Sequence, residues 1–153
     1  MSVLYNKIPP VIIVLIFSMS VWGISLFSAF VVTNPFILEL IALTIFILGL
    51  LFAIAGVVSF RLARTTTNPL KPESASALVN TGIYAISRNP MYVGFAFFLL
   101  SQSVYLASPM SVIGLVGFIL YMNEFQIKPE EKHLAEIFGA DFADYKHKVR
   151  RWL

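Results

Sequence analysis

Cysteine is missing altogether from the 153 residues, which excludes disulfides, thiolate metal centres and a cysteine nucleophile. Charge is scarce as well: 12% of residues are Asp, Glu, Lys or Arg, against 58% hydrophobic. That balance is too apolar for a water-soluble domain and makes lipid the expected solvent for most of the chain. Histidine occurs only twice. Neither His133 nor His147 has a third ligand at metal spacing, so no metal site is expected.

What the chain has instead is long uncharged runs. Crossing a hydrocarbon core of roughly 30 Å takes about 20 apolar residues in a helix. Four runs approach that length: 8–32 and 91–107 without charge, 36–60 with only Glu39, and 109–127 with only Glu124. No small-residue cleavage site follows the first, which is expected as a retained span rather than a signal peptide. Very short linkers join the first run to the second and the third to the fourth, predicting two antiparallel hairpins. Asn34-Pro35 and Ser108-Pro109 each suit a helix start, with a side-chain N-cap followed by proline at the first helical position. The expected fold is all-α: a polytopic bundle of four transmembrane helices forming a single membrane domain over 1–153, with a loop at 61–90 and a tail at 128–153. In the tail, Leu134, Ile137 and Phe138 share one side, and Phe142, Tyr145, Val149 and Trp152 recur at helical intervals. This predicts a basic amphipathic helix, bent at Gly139, that lies on the membrane surface or closes over the loop.

Basic residues are absent from the two short turns. Lys7 precedes the first span; Arg61, Arg64, Lys71 and Arg88 lie between the second and third; Lys128, Lys132, Lys146, Lys148, Arg150 and Arg151 follow the fourth. Cytoplasmic segments collect Lys and Arg, so both termini and the central loop are expected on the cytoplasmic side of a prokaryotic inner or plasma membrane. The net charge of +3 then reads as topology and attraction to anionic membrane lipids, not as a nucleic-acid surface.

Two polar strings fall at the same mouth of the bundle. In the first, residues 82–94, the Asn89-Pro90 step disfavours helix at Asn89 and lets one begin at Pro90. Free backbone N–H groups at a positive dipole end beside Arg88 suit an anion such as a carboxylate. Tyr92 and Gly94 follow, the glycine permitting close approach. An interfacial cap with a snorkelling arginine and aromatic belt would show the same features. The second string is Glu130-Glu131 after Pro129. Adjacent carboxylates on a helix point about 100° apart and need not share a proton. One is suited to accept hydrogen bonds from a ribose or an ammonium group; favourable charge at a helix start is the simpler reading.

Taken together, Leu78-Val79, Gly82-x-Tyr84, Ser87-Arg88-Asn89-Pro90-x-Tyr92-x-Gly94, then Glu130-Glu131-x-x-Leu134, Phe138-Gly139, Tyr145 and Val149-x-Arg151-Trp152 resemble the C-terminal signature of the isoprenylcysteine carboxyl methyltransferase and phospholipid methyltransferase group. The resemblance covers about residues 61–153, with Arg64, Thr66 and Pro69 in the preceding loop. It implies an S-adenosylmethionine-dependent methyltransferase acting on a lipid or lipophilic small molecule, with the cofactor held at the cytoplasmic face. On matching positions, Gly82, Tyr84, Arg88, Asn89, Pro90, Tyr92, Gly94, Glu130 and Glu131 become cofactor contacts, and the tail becomes a lid. Gln126 stands where the isoprenylcysteine branch commonly places an arginine, which argues against simple carboxyl methylation. Glu124 and Gln126 are the acceptor-side candidates, and Tyr121, Asn123 and Gln102 can supply polar contacts in the second hairpin.

Two other classes stay open from the residues. A small four-helix transporter would use Glu39 or Glu124 as its coupling carboxylate, although Glu39, in the first turn of its span, also suits a helix dipole at the interface. A membrane reductase with a similar C-terminal hairpin would bind a nicotinamide cofactor.

Overall fold

The computed structural model describes residues 8–30, 34–63 and 78–153. Lys7, Arg64, Thr66, Pro69 and Lys71 lie outside them. The chain order is α1 (Pro10–Ser28), α2 (Pro35–Leu62), a 3₁₀ turn (Gly82–Ala85), α3 (Pro90–Tyr105), a second 3₁₀ turn (Pro109–Ser111), α4 (Val112–Tyr121), a π turn (Met122–Ile127) and α5 (Lys128–Lys148). The described residues are helical and contain no strand.

Three stretches are long and apolar enough to cross a membrane: Pro10–Ser28, Pro35–Leu62 and the continuous run Pro109–Lys148. α3 falls short of that length. Its 16 residues reach about 24 Å, less than a hydrocarbon core of roughly 30 Å. It is also heavily enclosed, burying Tyr92, Val93, Gly94, Leu99, Ser101 and Ser103. The outer faces of α1 and α2 leave Leu15, Met19, Phe27, Ile37 and Leu51 exposed, as a lipid-facing surface requires.

Helix directions follow from a few contacts. Ser28 and Ser108 share a hydroxyl hydrogen bond of 2.6 Å at one end of the bundle. At the other end, Gln126 Nε2 donates to the Ile8 carbonyl over 3.2 Å, and the Phe60 and Tyr84 rings meet edge to face at 5.1 Å. Arg61, Arg88 and Lys128 therefore gather at a single end, as the charge pattern predicts.

α3 is the hub, packing against α1, α2 and α4. Along the α2–α3 seam the backbones come very close: a methyl group on Gly94 would lie 2.6 Å from the Gly49 carbonyl oxygen, and one on Gly49 would lie 2.8 Å from Phe97 Cβ. Small residues matter here because lipid gives helices no hydrophobic reason to associate, leaving close packing and polar contacts to do so. α1, α3 and α4 meet in a core of Ile13, Val21, Leu99, Leu115, Phe118 and Met122, with Phe17 edge-on to Phe118 at 5.9 Å.

Several expectations need correction. The first hairpin does not close, since α1 and α2 each pack on α3 rather than substantially on one another. Neither Asn34 nor Ser108 caps its helix with a side chain. The Ser108 hydroxyl is engaged by Ser28 and by Ser111 at 2.7 Å, while Pro35 and Pro109 do open their helices. Glu39 lies beyond the first turn of α2, because that helix begins at Pro35. The tail is not a separate helix: α4 passes through the π turn directly into α5. The bend at Gly139 is present, with φ 51° and ψ −118°, a backbone conformation open to glycine and strained for other residues. The all-α expectation holds for the described residues, with three stretches able to cross a membrane.

The α2–α3 seam predicts that Gly94→Ala lowers stability by about 1–3 kcal/mol, the usual cost of overpacking. Thermal unfolding in detergent tests this, with Gly23→Ala as the control because a methyl group there meets nothing within 4 Å.

Candidate functional site

The bend at Gly139 reverses the chain. Twenty helical residues run straight would span about 30 Å, yet Arg151 returns to Glu131 and Trp152 Nε1 donates to Asn123 Oδ1 over 3.0 Å. After α5 ends, Val149 is extended (φ −123°, ψ 135°), and the last residues run beside the 87–89 segment. Arg88 N–H donates to the Arg150 carbonyl at 3.0 Å, and Asn89 Nδ2 to the Arg151 carbonyl at 2.9 Å. Tyr145, buried on the returning half, donates its hydroxyl to the Tyr84 carbonyl at 2.7 Å. Burial raises the Tyr84 phenol well above its ordinary range, so that ring stays neutral.

Glu131 sits between two arginines. Arg151 grips it bidentately, Nε to Oε1 at 3.1 Å and Nη2 to Oε2 at 2.7 Å, while Arg88 Nη2 reaches Oε1 at 3.1 Å. The side chains of Arg88 and Glu131 are each 11% exposed. Arg88 Nε and Nη1 are buried and have no protein partner. A buried guanidinium with two unused donor nitrogens is costly unless something accepts from them.

Beside this pair, Tyr92 donates its hydroxyl to Glu130 Oε1 at 2.7 Å. One turn earlier, Gln126 is 1% exposed and its Oε1 is buried without a partner. The amide cannot be flipped to relieve this, because the Ile8 carbonyl it contacts can only accept.

Of the residues singled out in the sequence, Arg88, Tyr92, Glu130 and Glu131 form one cluster. Asn89 and Pro90 lead into it, Asn89 with its amide turned to the tail. Tyr84 stands behind, against Tyr145 and Phe60. Gly82, at φ 61°, shapes the 3₁₀ turn, and Gly94 serves the α2–α3 seam. Glu124 is elsewhere: it is half exposed and pairs with Lys128. Two parts of the cluster were missed as site residues, Arg151 and the Asn123–Trp152 contact. The clue was an arginine and a tryptophan closing the same signature that holds the glutamates. Among the described residues no group of His, Cys, Asp or Glu is placed to hold a metal ion.

Apolar helices built for lipid, with a charged, hydrogen-bonded cluster at one end, define a membrane protein with a polar site at the bundle mouth. Comparison with known proteins makes this specific. The sequence model described as "Phospholipid methyltransferase" matches residues 37–141, and the chain belongs to that methyltransferase family. It is 33% identical to the protein-S-isoprenylcysteine O-methyltransferase of Saccharomyces cerevisiae over 110 residues, 67% of this chain and 46% of that protein. It is 28% identical to protein-S-isoprenylcysteine O-methyltransferase B of Arabidopsis thaliana over 107 residues, 70% and 54% of the two chains. An uncharacterized protein of Haemophilus influenzae is 41% identical over 63 residues, 41% of this chain and all of that one. The chain spans about half the length of these two named methyltransferases. No solved structure matches it.

Proposed function

We propose that this chain is an S-adenosylmethionine-dependent methyltransferase acting on a lipid or lipophilic small molecule, with the cofactor taken up at the cytoplasmic mouth of a single membrane unit. The observation that carries the reading is the two buried, unpartnered donor nitrogens of Arg88, a residue anchored by Glu131, next in sequence to the Tyr92-bonded Glu130. They suit the cofactor's amino-acid end. Arg88 would hold its carboxylate and Glu130 its ammonium, while Glu131 and Arg151 keep Arg88 in place and Tyr92 orients Glu130. Of the remaining residues in the signature, Gly82, Tyr84, Asn89, Pro90 and Gly94 act by building the wall rather than by direct contact.

When bound, the cofactor supplies an electrophilic methyl group on a sulfonium. The chain's own contribution is positioning and exclusion of water, which suffices for an in-line displacement without a covalent enzyme intermediate. On the acceptor side, Gln126 offers an unpaired carbonyl oxygen. With Arg88 engaged by the cofactor, Arg151 by Glu131 and Lys128 by Glu124, the cluster has no further cation among the described residues for an acceptor carboxylate. Gln126 therefore favours an acceptor that donates a hydrogen bond. Glu124, turned outward, has no part in this site.

The test is cofactor binding by the purified full chain in detergent. Arg88→Ala should weaken binding by about tenfold to a hundredfold, the worth of charge-assisted hydrogen bonds, while Glu124→Gln leaves it unchanged. Radiolabelled methyl transfer into extracts of cells lacking the protein should then yield one labelled lipophilic product. Well-folded protein that fails to bind the cofactor at millimolar concentration would sink the proposal.

A further inference from the structure

The unclosed first hairpin leaves a second feature, far from the Arg88 cluster. Between α1 and α2, with α3 as its floor, lies a cleft of about 650 Å³ bordered by Ser18, Glu39, Phe46, Phe98, Gln102 and Tyr105. That volume falls within the range of small-molecule sites. Gln102 is about 15 Å of helix away from Tyr92, and Glu39 lies near the end of α2 remote from Arg61. The cleft is therefore at the end of the bundle opposite the proposed methyl-donor site, and it opens sideways toward lipid.

Most of its polar lining is internally satisfied. Ser18 Oγ donates to Gln102 Oε1 at 2.8 Å, Gln102 Nε2 returns a bond to the Ser18 carbonyl at 3.1 Å, and Ser101 Oγ donates to the Ala42 carbonyl at 2.7 Å. The exposed Glu39 and the Tyr105 hydroxyl are the exceptions, with no hydrogen bond or ion pair among the described residues, and Glu39 alone of the two carries a charge. No Lys or Arg occurs in 8–60 or 91–127, so the apolar runs contain no cation to answer it. Below Glu39 the wall turns aromatic, with the Phe46 and Phe98 rings 5.0 Å apart. A lone carboxylate over an apolar slot calls for a ligand of matching shape: positive at one end and hydrocarbon at the other.

We propose that this cleft binds an amine-headed lipid of the bilayer, its chain lying along Phe46 and Phe98 and its ammonium paired with Glu39. The site is separate from the methyl-transfer reading and stands or falls without it. Such a lipid would fill the gap that α1 and α2 leave between them.

The purified full chain can be titrated with oleylamine, with its trimethylammonium analogue and with oleyl alcohol, reading melting temperature and direct binding. The trimethylammonium analogue has no position left to accept a methyl group. Both cations should bind about tenfold more tightly than the alcohol, and Glu39→Gln should remove that preference. Leu43→Trp, a change at an exposed position bordering the cleft, should weaken all three, and Arg88→Ala should leave the preference intact. Equal binding of amine and alcohol, or a preference that survives Glu39→Gln, would overturn the proposal. A preference lost in Arg88→Ala but kept in Glu39→Gln would place the amine at the other end and also refute it.

Discussion

At the end of the bundle where the basic residues gather, one carboxylate answers two guanidinium groups. Glu131 is nearly enclosed, and so is Arg88; neither charge would be tolerated there alone. Because Arg151 comes from the last residues of the chain, the same ion cluster also fixes where the tail ends. That in turn sets the Arg150 and Arg151 carbonyls against Arg88 and Asn89. The loop before α3, the start of α5 and the C-terminus are thus one electrostatic unit, and the spare N–H groups of Arg88 point from a position held on several sides.

Elsewhere the bundle relies on steric closeness and sparse polar contacts. The α2–α3 seam has glycine on both sides, and serines link α1, α3 and α4 through Ser28–Ser108, Ser111–Val21 and Ser18–Gln102. Such contacts are the currency of helix association in lipid, where burying one more leucine gains nothing. A structure held this way leaves openings where small residues or serines are lacking, and the space between α1 and α2 is one.

Much of this was legible in the chain. Uncharged runs gave the helices, proline marked three helix starts, and the distribution of Lys and Arg placed the charged segments at one end. The arginine and glutamate strings, some forty residues apart, were correctly paired because their charges and topology agreed. The rest depended on tertiary geometry. Nothing local says that Glu131 would be taken by Arg151, since the bend at Gly139 brings them together. Nor does the spacing of spans reveal that α1 would lean on α4 rather than α2. Ser108 looked like a cap by residue type, but a neighbouring helix offered its hydroxyl a partner first.

The π turn at Met122–Ile127 places one surplus residue per turn in the path from α4 to α5, as such turns do. Each residue of helix advances its face by about 100°. Were the segment to relax to a regular helix with all its residues kept, Glu130 and Glu131 would swing around the axis by roughly a quarter of a circle, whereas losing the surplus residue would leave them nearly in place. The irregular turn therefore acts as the phase setting between the lipid-facing half of this long helix and the half that carries its charges.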